Sequence, residues 1–524
     1  MAIPLDPFRD WLIANASITN NIHVSSTPHA GYGLFTSSVP IPLSDPPKPL
    51  AFIPSHLLVT ASRVFQHARD HEQKLLQCLE SLQSTDNETP MELTERLIVL
   101  LFLVYERHVR TKSHSASSWK SYIDILPTPA SLENHPLFYT PELLSLLTNT
   151  RLHDAVSAKR TRLQREIEWL APHVEAAGWA LQLDLEIWTW TDAVFWSRVV
   201  SMESQFAEEK NVEHVRQQPS EDYHLIPFVD FANHSLTPNV RWHLRGDGSG
   251  IDLLPILPLT ISADNPAVLP PNTELCLSYG AKPNQELLYL HGFCIPENPT
   301  PPALVIPALP FFNPANGFDR RKLAWLRHCG MSLTLTFDPD NPNAEEWAGG
   351  LAPESVVAMY IAVLTEEPED GLEFRMEEDA DGHPILLLML SDVTVGPTDA
   401  VSAFAHEVRG LQHYDVVRLR VVAMLLDALD WHLARVTSVE EGEREGEDQF
   451  ETRATRVLEG TDEARHDVVS RVVDDVRTYR KDEERVISET VSRLAGVRDE
   501  LMESKVVKRY LRERQEEEEG GEGL

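Results

Sequence analysis

Cysteine is scarce in this chain, and its four copies are scattered. Cys78, Cys276, Cys294 and Cys329 are spread over 524 residues, and no two of them form a C-x-x-C pair. The sequence therefore excludes a zinc ribbon and a thioredoxin-like redox motif. Scattered cysteines in a long chain are typical of a reducing compartment, so we expect the protein to reside in the cytoplasm, the nucleus or both.

Long apolar segments are also lacking. The longest one covers residues 97–105 between Arg96 and Glu106. It falls far short of the roughly 20 residues that span a bilayer, and it predicts a buried helix instead. Asp6 and Asp10 stand where a secretory signal would be apolar. We therefore expect a soluble intracellular protein with no membrane contact.

Basic residues are outnumbered. The chain has 46 Lys and Arg against 81 Asp and Glu, which gives a net charge of −35. Nucleic acids and anionic membranes both require clustered cations, so neither is an expected partner. The charge suits a basic protein. The acidic blocks 440–447 and 516–519 are expected to be solvated or disordered, and attraction of a substrate is the alternative role.

The distribution of residue types predicts an α+β protein. Turn residues mixed with β-branched residues indicate a β-rich core, and apolar spacings of three and four indicate helices that interrupt and follow it. A chain of this length favours two or three domains. The predicted boundaries are a first domain 1–295 with its core at about 22–60 and 180–295 and a helical insertion at about 61–179, a proline-rich linker 296–315, an all-α domain 316–510, and an acidic tail 511–524.

Three segments carry polar residues at strand ends or turns. His29–Phe35 reads HAGYGLF, 226–239 reads IPFVDFANHSLTPN, and 274–293 reads ELCLSYGAKPNQELLYLHGF. Each has an ordinary structural interpretation when taken alone. The glycines can form a simple turn, the Asn-His pair can form a buried hydrogen-bonded knot, and the tyrosine can be a packing residue.

Taken together and in this order, the segments resemble the SET-domain methyltransferases, most closely the branch of Rubisco large-subunit methyltransferase. The resemblance is carried by the G-x-G turn, by NHS-x-x-PN and by SYG-x-x-x-N-x-x-LL-x-x-x-GF. Ser118 with Trp119, Ser197 with Arg198, and Tyr479 add further matches. It implies a β-rich SET fold split by a helical insertion, followed by a helical substrate-binding domain.

The resemblance also implies a function and a site. The expected activity is that of an S-adenosylmethionine-dependent protein-lysine N-methyltransferase, and the expected partner is a basic non-histone protein such as a ribosomal protein. Tyr279 is the expected catalytic residue, and Arg198 would hold the methionine carboxylate because its planar donors suit that group. The implied cofactor-binding residues are Tyr32, Gly33, Leu34, Arg198, Asn233, His234 and Tyr279.

His291 departs from the family pattern. Members commonly read YGF where this chain reads His291-Gly292-Phe293, and His291 and Phe293 are the expected substrate-channel residues. The histidine leaves the number of methyl groups open. Two alternative functions also stay open, a non-catalytic SET scaffold and a protein-histidine N-methyltransferase. The protein is expected to be a monomer. It is also expected to bind no metal, because HARDH at His67 and His71 is not H-E-x-x-H.

Overall fold

The chain forms two compact units. The computed structural model of the protein describes residues 5–19, 21–27, 31–84, 91–110, 119–202, 223–257, 268–338, 350–378, 384–390, 393–395, 400–437 and 449–521. The first unit is Met1–Cys294 with Arg456–Asp475, and the second is Ile295–Thr455 with Val476–Leu524. Across the described ranges, no helix is both long and apolar enough to pass through a lipid bilayer.

The helices of the first unit begin at polar caps. The side chains of Thr60, Thr94 and Thr150 each accept a hydrogen bond from the backbone N–H three residues later, which satisfies one of the donors that a helix start leaves unpaired. These helices are α1 Leu5–Ala14, α2 Ala61–His71, α3 Gln73–Gln83, α4 Glu95–Val104, α5 Lys120–Ile123, α6 Pro141–Ser145, α7 Arg151–Ala176, α8 Leu185–Arg198 and α9 Asn284–His291.

Helix α4 confirms the prediction of a buried helix. Every residue from Arg96 to Val104 is buried, as expected for a helix that is apolar on all sides. Arg96 is the one charged residue in this buried stretch. It forms ion pairs with Glu166 of α7 and Asp192 of α8. The helices between residues 61 and 179 are thus tied to α8, which ends at Arg198.

Distant segments of the chain combine into the sheets of the first unit. One sheet has the order β1-β5-β9-β8, a second β11-β3-β2, and two pairs are β10-β4 and β6-β7. All of the pairings are antiparallel. The strands are β1 Ile18–Thr19, β2 Ile22–Ser26, β3 Tyr32–Thr36, β4 Ile41–Pro42, β5 Ala51–Pro54, β6 Val200–Ser201, β7 Tyr223–His224, β8 Val240–Leu244, β9 Gly250–Pro255, β10 Val268–Leu269 and β11 Glu274–Leu275.

The second unit is mostly helical but also contains two small sheets, so the expectation of an all-α domain is wrong in this respect. The α+β class itself is confirmed. The sheets have the orders β12-β13 and β14-β15-β16. The elements are β12 Leu304–Pro307, α10 Gly317–His328, β13 Thr334–Phe337, α11 Pro353–Val363, β14 Leu372–Glu378, β15 Pro384–Leu390, β16 Val393–Val395, α12 Ala400–Gly410, α13 Tyr414–Thr437, α14 Gln449–Glu459, α15 His466–Glu503 and α16 Lys505–Gly521. The end of α14 and the start of α15 belong to the first unit, which includes Arg456–Asp475.

The proline-rich segment 296–315 does not serve only as a linker. Its strand β12 pairs with β13, and Leu304 and Ile306 are buried in the core of the second unit. Val305, between them, is exposed. This alternation is the pattern of a strand with one buried face, and Pro307 is tolerated because it lies at the strand end.

The acidic end of the chain is helical rather than disordered through Gly521, where α16 ends. Its sequence KVVKRYLRERQEEEE contains no proline and is rich in Lys, Arg, Gln and Glu, which favour helices. The acidic block 440–447 lies outside the residues that the structure describes.

Asp475 gives the first unit a pH-dependent stability. Its Oδ1 accepts the backbone N–H of Cys294 at 2.8 Å, and burial raises its pKa to about 7, with Asp474 contributing. A carboxyl group with a raised pKa disfavours the folded state once the pH exceeds its unfolded value. Its cost therefore grows from about pH 4 to pH 7 and is constant above that.

We expect Asp475→Asn to stabilise the protein at pH 8 by about 2 kcal/mol, since one pKa unit corresponds to about 1.4 kcal/mol and an amide is the weaker acceptor. The measurement is urea denaturation at pH 8 and at pH 4, where the gain should vanish. Asp10→Asn, a change at an exposed residue of α1 that makes only a surface ion pair, is the control. An equal gain at both pH values would contradict the role of Asp475.

Candidate active site

A cavity of about 440 Å³ lies in the first unit. Its wall includes the end of α8, the segment after β7 and the turn between β11 and α9. Three of the predicted site residues, Arg198, Tyr279 and His291, line it, and Trp196 and Tyr223 add aromatic surface. The cavity therefore combines apolar walls with a few polar groups, the usual composition of a small-molecule site.

Tyr279 is held at both its backbone and its hydroxyl. The hydroxyl donates to the backbone carbonyl of Ala232 at 3.0 Å, and the backbone N–H donates to Nδ1 of His234 at 3.0 Å. Burial raises the pKa of Tyr279 to about 12. The hydroxyl is therefore neutral at physiological pH, and its remaining lone pairs can accept weak hydrogen bonds.

Three aromatic rings, those of His234, His291 and Phe293, form a cluster with the ring of this tyrosine. The ring centroids of Tyr279 and His291 are 4.8 Å apart, and those of Tyr279 and His234 are 5.2 Å apart. Phe293 lies 6.2 Å from His291 and 6.3 Å from His234. The structure thus brings together four predicted site residues from two separate segments of the chain, 226–239 and 274–293.

Arg198 is paired with a residue that the sequence reasoning missed. Its Nη1 donates to the backbone carbonyl of Asp230 at 3.0 Å and to the Asp230 carboxylate at 3.3 Å. Tyr122 donates to the same carboxylate at 2.6 Å, and the guanidinium lies 4.7 Å from the ring centre of Phe231. Asp230 is the one charged residue in the apolar run IPFVDFA, and that contrast was the available signal.

The ion pair of Arg198 and Asp230 is buried. The side chain of Asp230 is fully buried, and that of Arg198 is 13% exposed. Burial raises the pKa of Asp230 even though Arg198 opposes the change. Within the described part of the chain, Arg198 Nε and Asp230 Oδ1 are buried and find no hydrogen-bond partner.

The glycine turn is shaped by its neighbours. A Cβ on Gly33 would lie 2.6 Å from Oε1 of Glu274 and 3.0 Å from Nδ2 of Asn233, so a larger residue there would push these two side chains aside. Asn233 Nδ2 donates to that Glu274 oxygen at 2.7 Å and to the carbonyl of Tyr32 at 3.3 Å. Leu34 is fully buried in β3. Asn233, Glu274 and Tyr32 thus form a hydrogen-bonded knot. None of them is among the residues that line the cavity.

The Asn-His segment is joined to the Tyr279 segment by several hydrogen bonds. The Asn233 carbonyl accepts the N–H of Leu277 at 2.9 Å, and Ser235 donates to the Leu277 carbonyl at 2.9 Å. Asn239 accepts from the backbone of Cys276 at 2.8 Å. The second asparagine of NHS-x-x-PN therefore holds the Tyr279 segment in register.

His67 has acidic neighbours that the sequence did not predict. Among the described residues, one group could offer metal ligands, namely His67, Glu72 and Glu106, whose ligand atoms lie within 4.8 Å of one another. Arg110 already pairs with Glu72 at 3.1 Å and with Glu106 at 2.8 Å. The arginine balances most of the negative charge that would attract a cation.

Comparison with known proteins gives partial sequence matches to SET-domain proteins. No family model matches the chain. SET domain-containing protein 8 of Schizosaccharomyces pombe is 24% identical over 285 residues, 54% of this chain and 55% of that protein. The ribosomal lysine N-methyltransferase set10 of the same organism is 24% identical over 35% of this chain and 29% of its own length. SET domain-containing protein 4 of Mus musculus is 26% identical over 47% and 53%. The chain thus spans about half or less of these relatives.

Solved structures match nearly the whole chain. The SET domain of LSMT bound to lysine and AdoHcy has a TM-score of 0.61 at 16% identity, covering 96% of this chain and 94% of that one. Rubisco LSMT bound to AdoMet has a TM-score of 0.59 at 16% identity and covers 97% and 96%. At these identities the likeness concerns the fold, and it confirms the fold that the three motifs predicted.

Proposed function

We propose that this chain, which has the SET-domain fold of Rubisco LSMT and is similar in sequence to SET-domain proteins, is an S-adenosylmethionine-dependent protein-lysine N-methyltransferase. One observation supports this most strongly. The neutral hydroxyl of Tyr279 and the carbonyl of Ala232, 3.0 Å apart, lie on the wall of a cavity that Arg198 also lines. Two oxygens close together suit a methyl group that carries partial positive charge.

The proposed methyl donor fits the residues at this cavity. Rubisco LSMT structures contain AdoMet or sinefungin, and here the side chain of Arg198, 13% exposed, places a cation on the cavity wall, where a carboxylate could pair with it. S-adenosylmethionine, when bound, supplies an electrophilic methyl group on its sulfonium. Arg198 would hold its carboxylate.

The remaining proposed contacts come from the backbone around the knot. Tyr32, Gly33 and Leu34 would contact the donor through main-chain atoms, and the main chain of Asn233 and His234 would bind the adenine edge. The Asn233 carbonyl already accepts one hydrogen bond from Leu277, so its second lone pair is the one available.

The acceptor must reach the site as a neutral amine, because an ammonium has no lone pair. Rings of His234, Tyr279 and His291 surround the proposed channel, and an apolar site favours the neutral form. Tyr279, with a pKa of about 12, would stay protonated. It would therefore orient the reacting groups and would not take the proton from the amine.

The proposed partner is a basic, non-histone protein. The net charge of −35 attracts basic polypeptides and speeds their encounter. One relative is named as a ribosomal lysine N-methyltransferase, which makes ribosomal proteins the first substrates to test.

Methyl transfer into a proteome that lacks this protein tests the function. The purified chain and methyl-labelled S-adenosylmethionine are added to the extract, and labelled proteins are identified by mass spectrometry. Modified lysine supports the proposal. Modified histidine would support the alternative acceptor, and absence of labelling would support the non-catalytic scaffold.

Arg198→Lys is expected to weaken S-adenosylmethionine binding about tenfold, because lysine keeps the charge but loses the planar pair of donors. Isothermal titration calorimetry measures the effect. The conservative change avoids leaving Asp230 buried and unpaired. Arg241→Lys, on β8 and outside the cavity wall, is the control. Equal affinity for Arg198→Lys and the wild type would remove Arg198 from the carboxylate site.

A further inference from the structure

Strand β14 forms one edge of the larger sheet of the second unit. The strand order is β14-β15-β16, and β14 pairs with β15 along the whole of Leu372–Glu378. Among the strands that the structure describes, none pairs with the other side of β14. An edge strand presents a row of backbone N–H and C=O groups with which a further strand can pair.

The register of β14 shows which of its backbone groups point to the open edge. The N–H of Leu372 donates to the carbonyl of Thr365 at 3.1 Å and not to β15. Leu372 and its partner Leu390 in β15 therefore form a pair without ladder hydrogen bonds. Pairs with and without these bonds alternate along an antiparallel ladder, so every second residue of β14 from Leu372 directs its N–H and C=O away from β15.

Phe374 and Met376 are two of these residues. Pro384 lies opposite Glu378, the next residue of the series, and this agrees with the register because a proline cannot donate to a ladder. The ring of Phe374 packs 5.6 Å from that of Phe318, whereas the side chain of Met376 is 63% exposed. The open edge thus offers two N–H groups, two C=O groups and one exposed apolar side chain.

This edge is acidic. Residues 366–378 contain seven Asp and Glu and one basic residue, Arg375. Glu373 and Glu377 are exposed and lie on the same face of the strand as Arg375, whose pair with Glu373 at 3.3 Å is also exposed and therefore weak. Like charges facing each other across two strands are destabilising. The edge therefore disfavours a second copy of β14 and favours a strand that carries Lys or Arg.

We propose that β14 binds an extended basic segment of the partner protein, which adds to this three-stranded sheet as a further strand. The backbone groups of Phe374 and Met376 pair with the segment, and Glu373 and Glu377 face its basic side chains. Main-chain hydrogen bonds supply affinity in strand addition, and side chains supply selectivity. The inference rests on the proposed function for the chemistry of the partner and deepens it by assigning a docking surface.

A fluorescent peptide of four Arg-Val repeats tests the binding directly on the full chain. It alternates like a strand, and it contains no lysine that could act as a methyl acceptor. We expect saturable binding by fluorescence anisotropy that weakens as salt screens the charges, and no binding of a peptide of Glu-Val repeats. Backbone hydrogen exchange in residues 372–378, followed by mass spectrometry, should slow when the Arg-Val peptide is bound. Absence of binding, or binding that leaves this exchange unchanged, would overturn the proposal.

A matched pair of variants tests the backbone contact. Met376→Pro removes the outward N–H without removing a ladder bond, and a proline is tolerated on an edge strand. Met376→Ala loses the same side chain but keeps the N–H. We expect Met376→Pro to bind the Arg-Val peptide at least about tenfold more weakly than the wild type, and Met376→Ala to stay within about threefold. Equal affinity in the two variants would exclude strand pairing at this residue.

A second pair of variants tests the charge. Glu373→Lys combined with Glu377→Lys should weaken binding of the peptide at least about tenfold. Asp427→Lys combined with Glu500→Lys changes the net charge equally at exposed residues of α13 and α15 and should stay within about threefold. Equal losses in the two double variants would mean that the overall charge, and not β14, attracts the peptide.

The effect on methyl transfer distinguishes docking from chemistry. In transfer to purified ribosomal proteins, Glu373→Lys combined with Glu377→Lys should raise KM about tenfold and leave kcat unchanged, because β14 does not hold the reacting atoms. A fall in kcat at unchanged KM would contradict the docking role. A wild type that transfers methyl groups but does not bind the Arg-Val peptide would overturn the docking surface alone. A wild type that binds the peptide through β14 but transfers no methyl group would overturn the methyltransferase function alone.

Discussion

Tyr279→Phe is expected to lower kcat for methyl transfer about 100-fold to 1000-fold while leaving the affinity for S-adenosylmethionine nearly unchanged. The change removes one oxygen, the one that donates to the Ala232 carbonyl at 3.0 Å, from a residue on the cavity wall. Loss of a preorganised polar group in a site shielded from water costs about this factor. Single-turnover transfer and calorimetry separate chemistry from binding.

The matched control is Tyr289→Phe. Tyr289 lies on α9, two residues before His291, but outside the cavity wall, so its hydroxyl should not affect turnover. A second comparison is the pH profile. Because burial raises the pKa of Tyr279 to about 12, the wild type should show no titration of Tyr279 between pH 6 and pH 9. Equal turnover in Tyr279→Phe and the wild type would remove the residue from catalysis.

Several of the predicted site residues lie near one another because the fold brings together the chain segments that carry the motifs. Tyr279 and His291 lie on either side of one short turn and helix, so their proximity follows from the local sequence. Arg198 was predicted only through the resemblance, and the structure places it on the same cavity wall. Asp230 and Tyr122 are 108 residues apart in sequence, and periodicity carries no information about such a pair.

The sheet of the second unit shows where propensity fails. Strand β15 reads PILLLML, and leucine and methionine favour helices. It nevertheless pairs along its length with β14 and also with β16. Burial of Leu388 and Leu390 in the core of this unit outweighs the local preference, because strand propensity depends on packing more than on the backbone.

Arg96→Met is expected to destabilise the first unit by about 3–5 kcal/mol, the usual cost of removing one partner from a buried ionic cluster. Arg96 is 4% exposed, and Glu166 and Asp192 are each 1% exposed. Its Nη1 donates to Glu166 at 2.8 Å, and its Nε donates to Asp192 at 2.9 Å. Methionine fills similar space but leaves two buried carboxylates with less compensation. Urea denaturation followed by tryptophan fluorescence measures the loss.

Two comparisons make this expectation specific. Arg69→Met removes an exposed arginine of α2 and should change the stability by less than about 0.5 kcal/mol. Adding Glu166→Gln to Arg96→Met should recover part of the loss, since it removes one unpaired charge. If the double variant were as unstable as Arg96→Met, lost packing and not charge would explain the effect.

The cluster also has a defined pH dependence. Burial alone would raise the pKa of Glu166, but its bonds to Arg96 and Trp188 lower it below the ordinary value of 4.5. A depressed pKa contributes stability that is present above the unfolded value and is lost as the pH falls through the folded value. The difference between the wild type and Arg96→Met should therefore narrow below about pH 4.5.

Loss of the ion pairs of Arg96 should also affect cofactor binding at the active site. Asp192 and Trp188 lie on α8, and the same helix ends with Ser197 and Arg198. The first of these pairs joins the helix to the insertion through Arg96 and Glu166, and both residues of the second pair line the cavity. We therefore expect Arg96→Met, at a temperature where it is still folded, to weaken S-adenosylmethionine binding although Arg96 does not line the cavity. Unchanged affinity would mean that the end of α8 is positioned by its local contacts alone.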